Sequence, residues 1–182
     1  MSDLFARLKA IMLAPQTEWP AVAHESSDAM AMRYVAVLAL IPALARLAGG
    51  WLIGGYMPLL SALAGAVVGY ALSFVAVFAV ALMVDVLAPH FAAERGYSSA
   101  LRLTAYSFTP VWLAGIVLLV PGASFLVLLG LYGIYLLWTG LPVLMRTPQD
   151  KALPYVIAVA ACAIAFDIAL RFVLTATMGA IH

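Results

Sequence analysis

Ionisable side chains inside long apolar runs are the residues of this chain best suited to chemistry. Asp167 and Arg171 lie in the last apolar run, at the i,i+4 spacing that lets two helical side chains meet. Arg46, in the first run, is expected at a similar depth. Because an unpaired charge in hydrocarbon is costly, this candidate charge cluster predicts a proton or ion relay, or an anion-binding pocket. The alternative is a neutralised pair that fixes helix register, with Arg46 extending outward to water.

Asp85 is a second candidate, an acid at the membrane interface near the end of the second apolar run. His90 follows within a few residues, but two potential ligands do not make a metal site without a third and a fourth. We therefore predict neither a metal nor another cofactor.

Catalytic motifs are not visible in the sequence. It contains no HExxH, GxSxG, P-loop or GxGxxG pattern, and no paired groups of the kind intramembrane proteases use. Polar residues within the apolar runs are expected to form hydrogen bonds between helices: Tyr106, Ser107, Thr109 and Thr139. The chain is predicted not to be an enzyme.

The composition indicates the environment that positions these residues. The chain is 66% hydrophobic and 9% charged, whereas soluble domains carry about 25% charged residues. An integral membrane protein is the simplest interpretation. The net charge of +1 comes without a basic tract, so no nucleic-acid partner is expected. The lone Cys162 excludes a disulfide framework and is expected to be a small buried side chain.

Five apolar runs predict an all-α, polytopic bundle of five transmembrane helices. A bilayer core requires about 20 apolar residues in a helix, and the runs cover about residues 34–53, 59–87, 103–120, 124–145 and 155–178. Residues 33–182 form the predicted transmembrane domain. The short turn at Pro121-Gly122 predicts that the third and fourth helices are antiparallel neighbours.

Residues 1–32 are predicted to form a cytoplasmic segment with a short amphipathic helix. Leu4, Phe5, Leu8, Ile11 and Met12 repeat at helical spacing. This helix is expected either in the lipid headgroup zone or packed on the bundle. Charges interrupt the apolar stretch, so we expect no cleavable signal peptide.

Basic loop residues predict the orientation of the bundle. Arg95 and Arg102 lie between the second and third runs, and Arg146 and Lys151 lie between the fourth and fifth. By the positive-inside rule, the N-terminus faces the cytoplasm and the C-terminus the opposite side. These four residues are candidate docking or lipid contacts.

Four segments carry a family resemblance: LAPQTEWPAVAHE at 13–25, LAPHF at 87–91, AYSFTPVWLAGI at 105–116, and LYGIYLLWTGLPVLMRTPQDKALPY at 131–155. The chain resembles a bacterial member of the Yip family, small five-span proteins related to eukaryotic proteins that interact with Rab GTPases. The resemblance implies five spans and a bacterial inner-membrane location. Eukaryotic relatives act in vesicle trafficking, but this chain lacks their Asp-Leu-Tyr-Gly-Pro motif, so that role is not carried over.

Two functions remain open from the sequence. The first is a non-enzymatic membrane scaffold or adaptor that binds membrane lipids and unidentified membrane or cytoplasmic proteins. The second is a small channel or transporter that uses Asp167, Arg171 and Arg46. The oligomeric state is open, with a homo-oligomer among the options.

Overall fold

The computed structural model describes residues 2–53, 55, 58–119 and 129–179, with all their side chains except those of residues 2, 3, 117, 118, 129, 171 and 173–179. The described residues contain α-helices and short turns but no β-strand, which confirms the all-α prediction. Their α-helices are α1 (Ser2–Leu13), α2 (Pro15–Ala23), α3 (Ala29–Leu38), α4 (Leu40–Leu47), α5 (Leu59–Leu87), α6 (Tyr97–Ser107), α7 (Thr109–Ala114), α8 (Leu129–Leu144) and α9 (Gln149–Gly179). Ala48–Ile53 is π-helical, and Ala88–Phe91 and Gly115–Leu119 are 3₁₀-helical.

Three helical segments among the described residues are long and apolar enough to cross a bilayer. They are Ala29–Ile53, Leu59–Phe91 and Gln149–Leu170, and they correspond to the first, second and fifth predicted spans. The apolar part of α8, Gly130–Leu144, is shorter. The predicted turn at Pro121-Gly122 lies outside the described residues. The structure therefore shows a membrane protein of apolar helices, while five spans and their orientation remain predictions.

The surfaces of α5 and α9 fit a lipid environment. Leu60 and Val67 of α5 are 80% and 67% exposed, and Ile164 and Phe172 of α9 are 62% and 73% exposed. Water would solvate such extended apolar faces poorly, whereas lipid chains would solvate them well. Cys162 also lies exposed on α9, so the prediction of a buried thiol was wrong.

The first span bends at its centre. α3 ends at Leu38 and α4 begins at Leu40, and Pro42 has no N–H to donate to the carbonyl of Leu38. The ring of Pro42 also packs against Gly115, where an added Cβ would lie 2.6 Å from the Pro42 Cβ. Only glycine permits this approach between α4 and the 3₁₀ segment that follows α7.

α6 lies inside the bundle, in contact with α3, α5 and α8. Residues 100–107 are all buried. The third span, predicted over 103–120, is broken just before Pro110, because α6 ends at Ser107 and α7 begins at Thr109. Pro110 cannot donate a backbone hydrogen bond to Tyr106. Instead, the hydroxyl of Thr109 donates to the Tyr106 carbonyl at 2.6 Å.

The N-terminal helices pack on the bundle. Trp19 of α2 is fully buried, and its indole Nε1 donates to Thr139 Oγ1 of α8 at 3.0 Å. Gly140 makes room for this ring, since an added Cβ would lie 2.9 Å from Trp19 Cε2. α1 leaves Phe5 and Leu13 exposed on its outer side. The structure thus positions both N-terminal helices against helices of the predicted transmembrane domain.

Candidate functional site

Oppositely charged side chains from the N-terminal helices and α6 converge at one end of the bundle. We call this set the polar cluster, and its members are Arg7, Glu18, Glu25, Asp28, Ser98, Arg102 and Tyr106. Arg102 and Tyr106 share one face of α6 because they are four residues apart. Glu25 and Asp28 lie in the short link between α2 and α3. The cluster therefore joins three parts of the chain that are far apart in sequence.

Arg7 is held by two acids and an aromatic ring. Its guanidinium donates to Glu18, and its Nη2 donates to Glu25 Oε1 at 2.7 Å. The guanidinium carbon lies 5.7 Å from the centre of the Tyr106 ring, a distance at which a cation is attracted to the ring face. The side chain of Arg7 is only 13% exposed. These contacts fix α1 against α2 and α6.

Arg102 uses each of its three guanidinium nitrogens. Nε donates to Asp28 Oδ1 at 2.6 Å, Nη1 donates to the Glu25 carbonyl at 2.6 Å, and Nη2 donates to Ser98 Oγ at 3.1 Å. The residue is 9% exposed. A buried arginine with a full set of partners positions its neighbours and is not available to an external ligand.

Glu25 is the acid of the polar cluster with a perturbed ionisation. Burial raises its pKa, and the charges of Arg7 and Arg102 and the Tyr106 hydroxyl oppose that shift only in part. The Tyr106 hydroxyl lies 3.3 Å from Glu25 Oε1. The desolvation of this carboxyl therefore outweighs its pairing with Arg7.

Tyr34 extends the polar cluster toward the bundle interior. Its ring packs edge-on against Tyr106, with 4.9 Å between the ring centres. Its hydroxyl shares a hydrogen bond of 2.8 Å with Thr109 Oγ1, and both residues are buried. The predicted hydrogen bonding between helices is thus observed for Thr109, which bonds to Tyr34, and for Thr139, which bonds to Trp19. Tyr106 bonds instead to Glu25 in the α2–α3 link. Ser107 has no hydrogen-bond partner among the described residues.

Asp85 is buried and paired. Its Oδ2 accepts from Arg95 Nη2 at 2.9 Å, and its Oδ1 accepts from the Gly96 N–H at 2.8 Å. It therefore fixes the turn that leads into α6. His90 is exposed, and the described residues include no group of three or more His, Cys, Asp or Glu side chains that could hold a metal ion.

The two basic loops contact each other. The Glu94 N–H donates to the Met145 carbonyl at 2.8 Å, and Arg146 Nη1 lies 3.1 Å from both carboxylate oxygens of Glu94. The side chains of Arg146 and Arg95 are 75% and 61% exposed, and Lys151 is exposed on the first turn of α9. Of the four predicted docking residues, three therefore lie at the surface, whereas Arg102 is buried in the polar cluster.

Of the predicted cluster of Arg46, Asp167 and Arg171, the described side chains bear only on the relation between Arg46 and Asp167. Arg46 lies on α4 beside Gly65 of α5, where an added Cβ would be 3.7 Å from Arg46 Cδ. α9, which carries Asp167, packs on α5 and α8 instead. No ion pair between Arg46 and Asp167 is found in the described part of the chain. The side chain of Arg171 lies outside the described residues.

Sequence reasoning missed the polar cluster because it treated the N-terminal segment and the third span separately. One signal was present: Glu18, Glu25 and Asp28 form an acidic stretch, while Arg7 and Arg102 carry opposite charge in apolar surroundings. Buried cations require nearby anions. That requirement favours a pairing of the N-terminal acids with the arginine at the start of the third span.

Comparison with protein-family models identifies the chain. The model of the Yip1 domain matches residues 9–170. This range includes both basic loops and every member of the polar cluster except Arg7. Curated proteins and solved structures give no match. Because the matched range covers most of the chain, this membrane protein belongs to the Yip1-domain family.

Proposed function

We propose that this protein is a non-enzymatic membrane scaffold that presents one basic docking surface on the cytoplasmic side of a bacterial inner membrane. The observation that carries the proposal is the contact between the two basic loops, through Glu94 to Met145 and Arg146. The docking surface comprises Arg95, Arg146 and Lys151. Its partners would be anionic lipid headgroups and membrane or cytoplasmic proteins.

The proposed topology has five spans with the N-terminus in the cytoplasm. The three long apolar segments supply the first, second and fifth spans. The other two are the spans predicted from the sequence over about residues 103–120 and 124–145. This arrangement puts all the basic loops on one side, as the positive-inside rule requires.

The polar cluster gives the docking surface its support. Arg7 binds the α2–α3 link to α1, Arg102 binds it to α6, and Asp85 binds the start of α6 to α5. Charged groups that are fixed before binding lose less conformational freedom when a partner arrives. A scaffold benefits from such pre-organisation, and it needs no reactive group.

Binding of phosphatidylglycerol, measured by native mass spectrometry against phosphatidylcholine, tests the lipid part of the proposal. A basic residue near an anionic surface contributes about 1 kcal/mol, so Lys151→Gln should weaken phosphatidylglycerol binding about fivefold. Glu94→Gln is the matched control, because it removes an acid from the same surface and should strengthen binding. Two unchanged affinities would refute the lipid-docking role.

Site-specific photo-crosslinking tests the protein-partner part. A photoreactive residue at position 151 should capture proteins in the native membrane, whereas one at the exposed, lipid-facing position 164 should capture lipid. Equal capture of proteins at both positions would contradict a docking surface confined to the loops.

The alternative, a channel or transporter, lacks a supporting observation. Four cavities outlined by the described residues are lined by neither Arg46 nor Asp167. Ion flux in reconstituted vesicles that is lost on Asp167→Asn would revive this function, and flux that survives the substitution would remove its basis.

A further inference from the structure

Two adjoining cavities lie between α1 and α3. The first is an apolar groove of about 210 Å³ lined by Leu4, Phe5, Leu8, Tyr34, Val37 and Leu38. The second is a polar cavity of about 600 Å³ whose lining includes His24, Ser26, Ser27 and Arg33. Leu4 lines both, so the two cavities are neighbours on either side of this residue. Together they form an amphipathic cleft, the α1–α3 cleft.

The polar half of the α1–α3 cleft carries an available positive charge. Arg33 is exposed, and it makes no ion pair or hydrogen bond among the described residues. The acid that lines the same cavity, Glu25, is only 11% exposed and is already bound to Arg7. The charge presented to a ligand is therefore that of Arg33, which favours an anion.

The apolar half suits a hydrocarbon chain. Phe5 and Val37 are 71% and 49% exposed along it. An apolar cavity of about 150 Å³ is large enough for benzene, so this groove can take a segment of an acyl chain. Arg33 and Val37 are four residues apart on α3 and share one helix face. A charged group and an acyl chain of one molecule can thus occupy neighbouring positions.

The geometry points to a binding site for one anionic glycerophospholipid in the α1–α3 cleft, with its phosphate at Arg33 and an acyl chain against Phe5 and Val37. Arg33 immediately precedes the first predicted span, which covers about residues 34–53. In the proposed topology it therefore lies at the cytoplasmic headgroup zone. The inference rests on that topology but uses none of the residues of the docking surface.

Native mass spectrometry with palmitoyl-oleoyl phosphatidylglycerol tests the site. Arg33→Gln should weaken binding of one lipid about fivefold, equivalent to the roughly 1 kcal/mol that a basic residue contributes at an anionic surface. Lys9→Gln is the matched control, because Lys9 is an exposed cation of α1 that lines neither half of the cleft. Its affinity should stay within about twofold of the wild type. Equal losses for both variants would overturn the site.

The acyl-chain contact is tested separately. Val37→Phe should fill the groove and lower lipid binding, and Phe5→Ser should lower it by removing an apolar wall without disturbing the core, since Phe5 is 71% exposed. Free glycerol phosphate should not displace the lipid at equal concentration. Displacement, or unchanged binding in both variants, would overturn the lipid assignment.

The docking surface and the α1–α3 cleft are tested by different variants, so one proposal can fail without the other. Lys151→Gln tests the docking surface and leaves the α1–α3 cleft intact. Arg33→Gln tests the cleft and leaves the docking surface intact. A loss confined to Arg33→Gln supports the cleft and contradicts lipid binding at the docking surface. A loss confined to Lys151→Gln does the opposite.

Discussion

Replacing Arg102 by glutamine should destabilise the protein far more than the same change at Arg146. Arg102 is 9% exposed and donates three hydrogen bonds, to Asp28, the Glu25 carbonyl and Ser98. Breaking a buried ion pair by removing one partner costs about 3–5 kcal/mol. The side chain of Asp28 is 34% exposed, so water would solvate part of the orphaned carboxylate. We therefore expect a loss at the lower end of that range, about 3 kcal/mol.

Arg146 is the matched control for this prediction. Its side chain and that of Glu94 are 75% and 64% exposed, and such surface pairs contribute about 0–1 kcal/mol. Arg102→Lys should fall between the two glutamine variants, because it keeps the charge but replaces the three spread nitrogens of the planar guanidinium by one compact ammonium.

The measurement is the free energy of unfolding in bicelles, obtained by steric trapping or by titration with sodium dodecyl sulfate. A double-mutant cycle with Asp28→Asn should give a coupling energy of about 1–3 kcal/mol, since the two side chains are in direct contact. If Arg102→Gln and Arg146→Gln changed stability equally, by less than about 1 kcal/mol, the structural role of the polar cluster would be refuted.

Two further predictions concern Glu25 and Gly140. Burial raises the pKa of Glu25 above its ordinary value of 4.5, so the folded protein holds this proton more tightly than the unfolded chain. That contribution to stability is complete below pH 4.5 and is lost as the pH rises through the raised pKa. Between pH 4.5 and the raised pKa, the unfolding free energy of the wild type should therefore fall relative to that of Glu25→Gln. Parallel pH profiles of the two proteins would contradict this prediction. Gly140→Ala would place a Cβ against Leu103 of α6 and 2.9 Å from Trp19 of α2, so it should cost about 1–3 kcal/mol by overpacking. The control Gly69→Ala meets no atom within 4 Å and should be neutral or slightly stabilising in thermal unfolding, with equal losses arguing against the close packing of α2 and α6 on α8.

Composition and apolar run length were enough to predict the helical membrane architecture. The first, second and fifth predicted spans match segments that are long and apolar enough to cross a bilayer. Run length did not predict that residues 100–107 are buried in the bundle, because hydrophobicity does not distinguish a helix that faces lipid from one buried in protein. Pro110 marked the break between α6 and α7 in the sequence, but proline is tolerated in membrane helices, so the signal was ambiguous.

The candidate site was less predictable because its contacts join distant parts of the chain. Arg95, Arg146 and Lys151 were predicted at the surface and are exposed. Arg102, predicted with them, is buried because Asp28 and Ser98 provide partners that a loop-charge argument does not consider. Asp85 was expected at the interface, and its burial follows from its bonds to Arg95 and the Gly96 N–H. Pairings of this kind depend on tertiary packing.

Cysteine accessibility is the most direct test of whether the docking surface lies on the cytoplasmic side of the membrane. In a Cys162→Ala background, cysteines placed at Glu94 and Lys151 can be labelled with a membrane-impermeant maleimide in inside-out and right-side-out vesicles. Both positions are exposed, so folding should be unaffected. Both positions should be labelled in inside-out vesicles and neither in right-side-out vesicles. Labelling in right-side-out vesicles, or opposite results at the two positions, would contradict it.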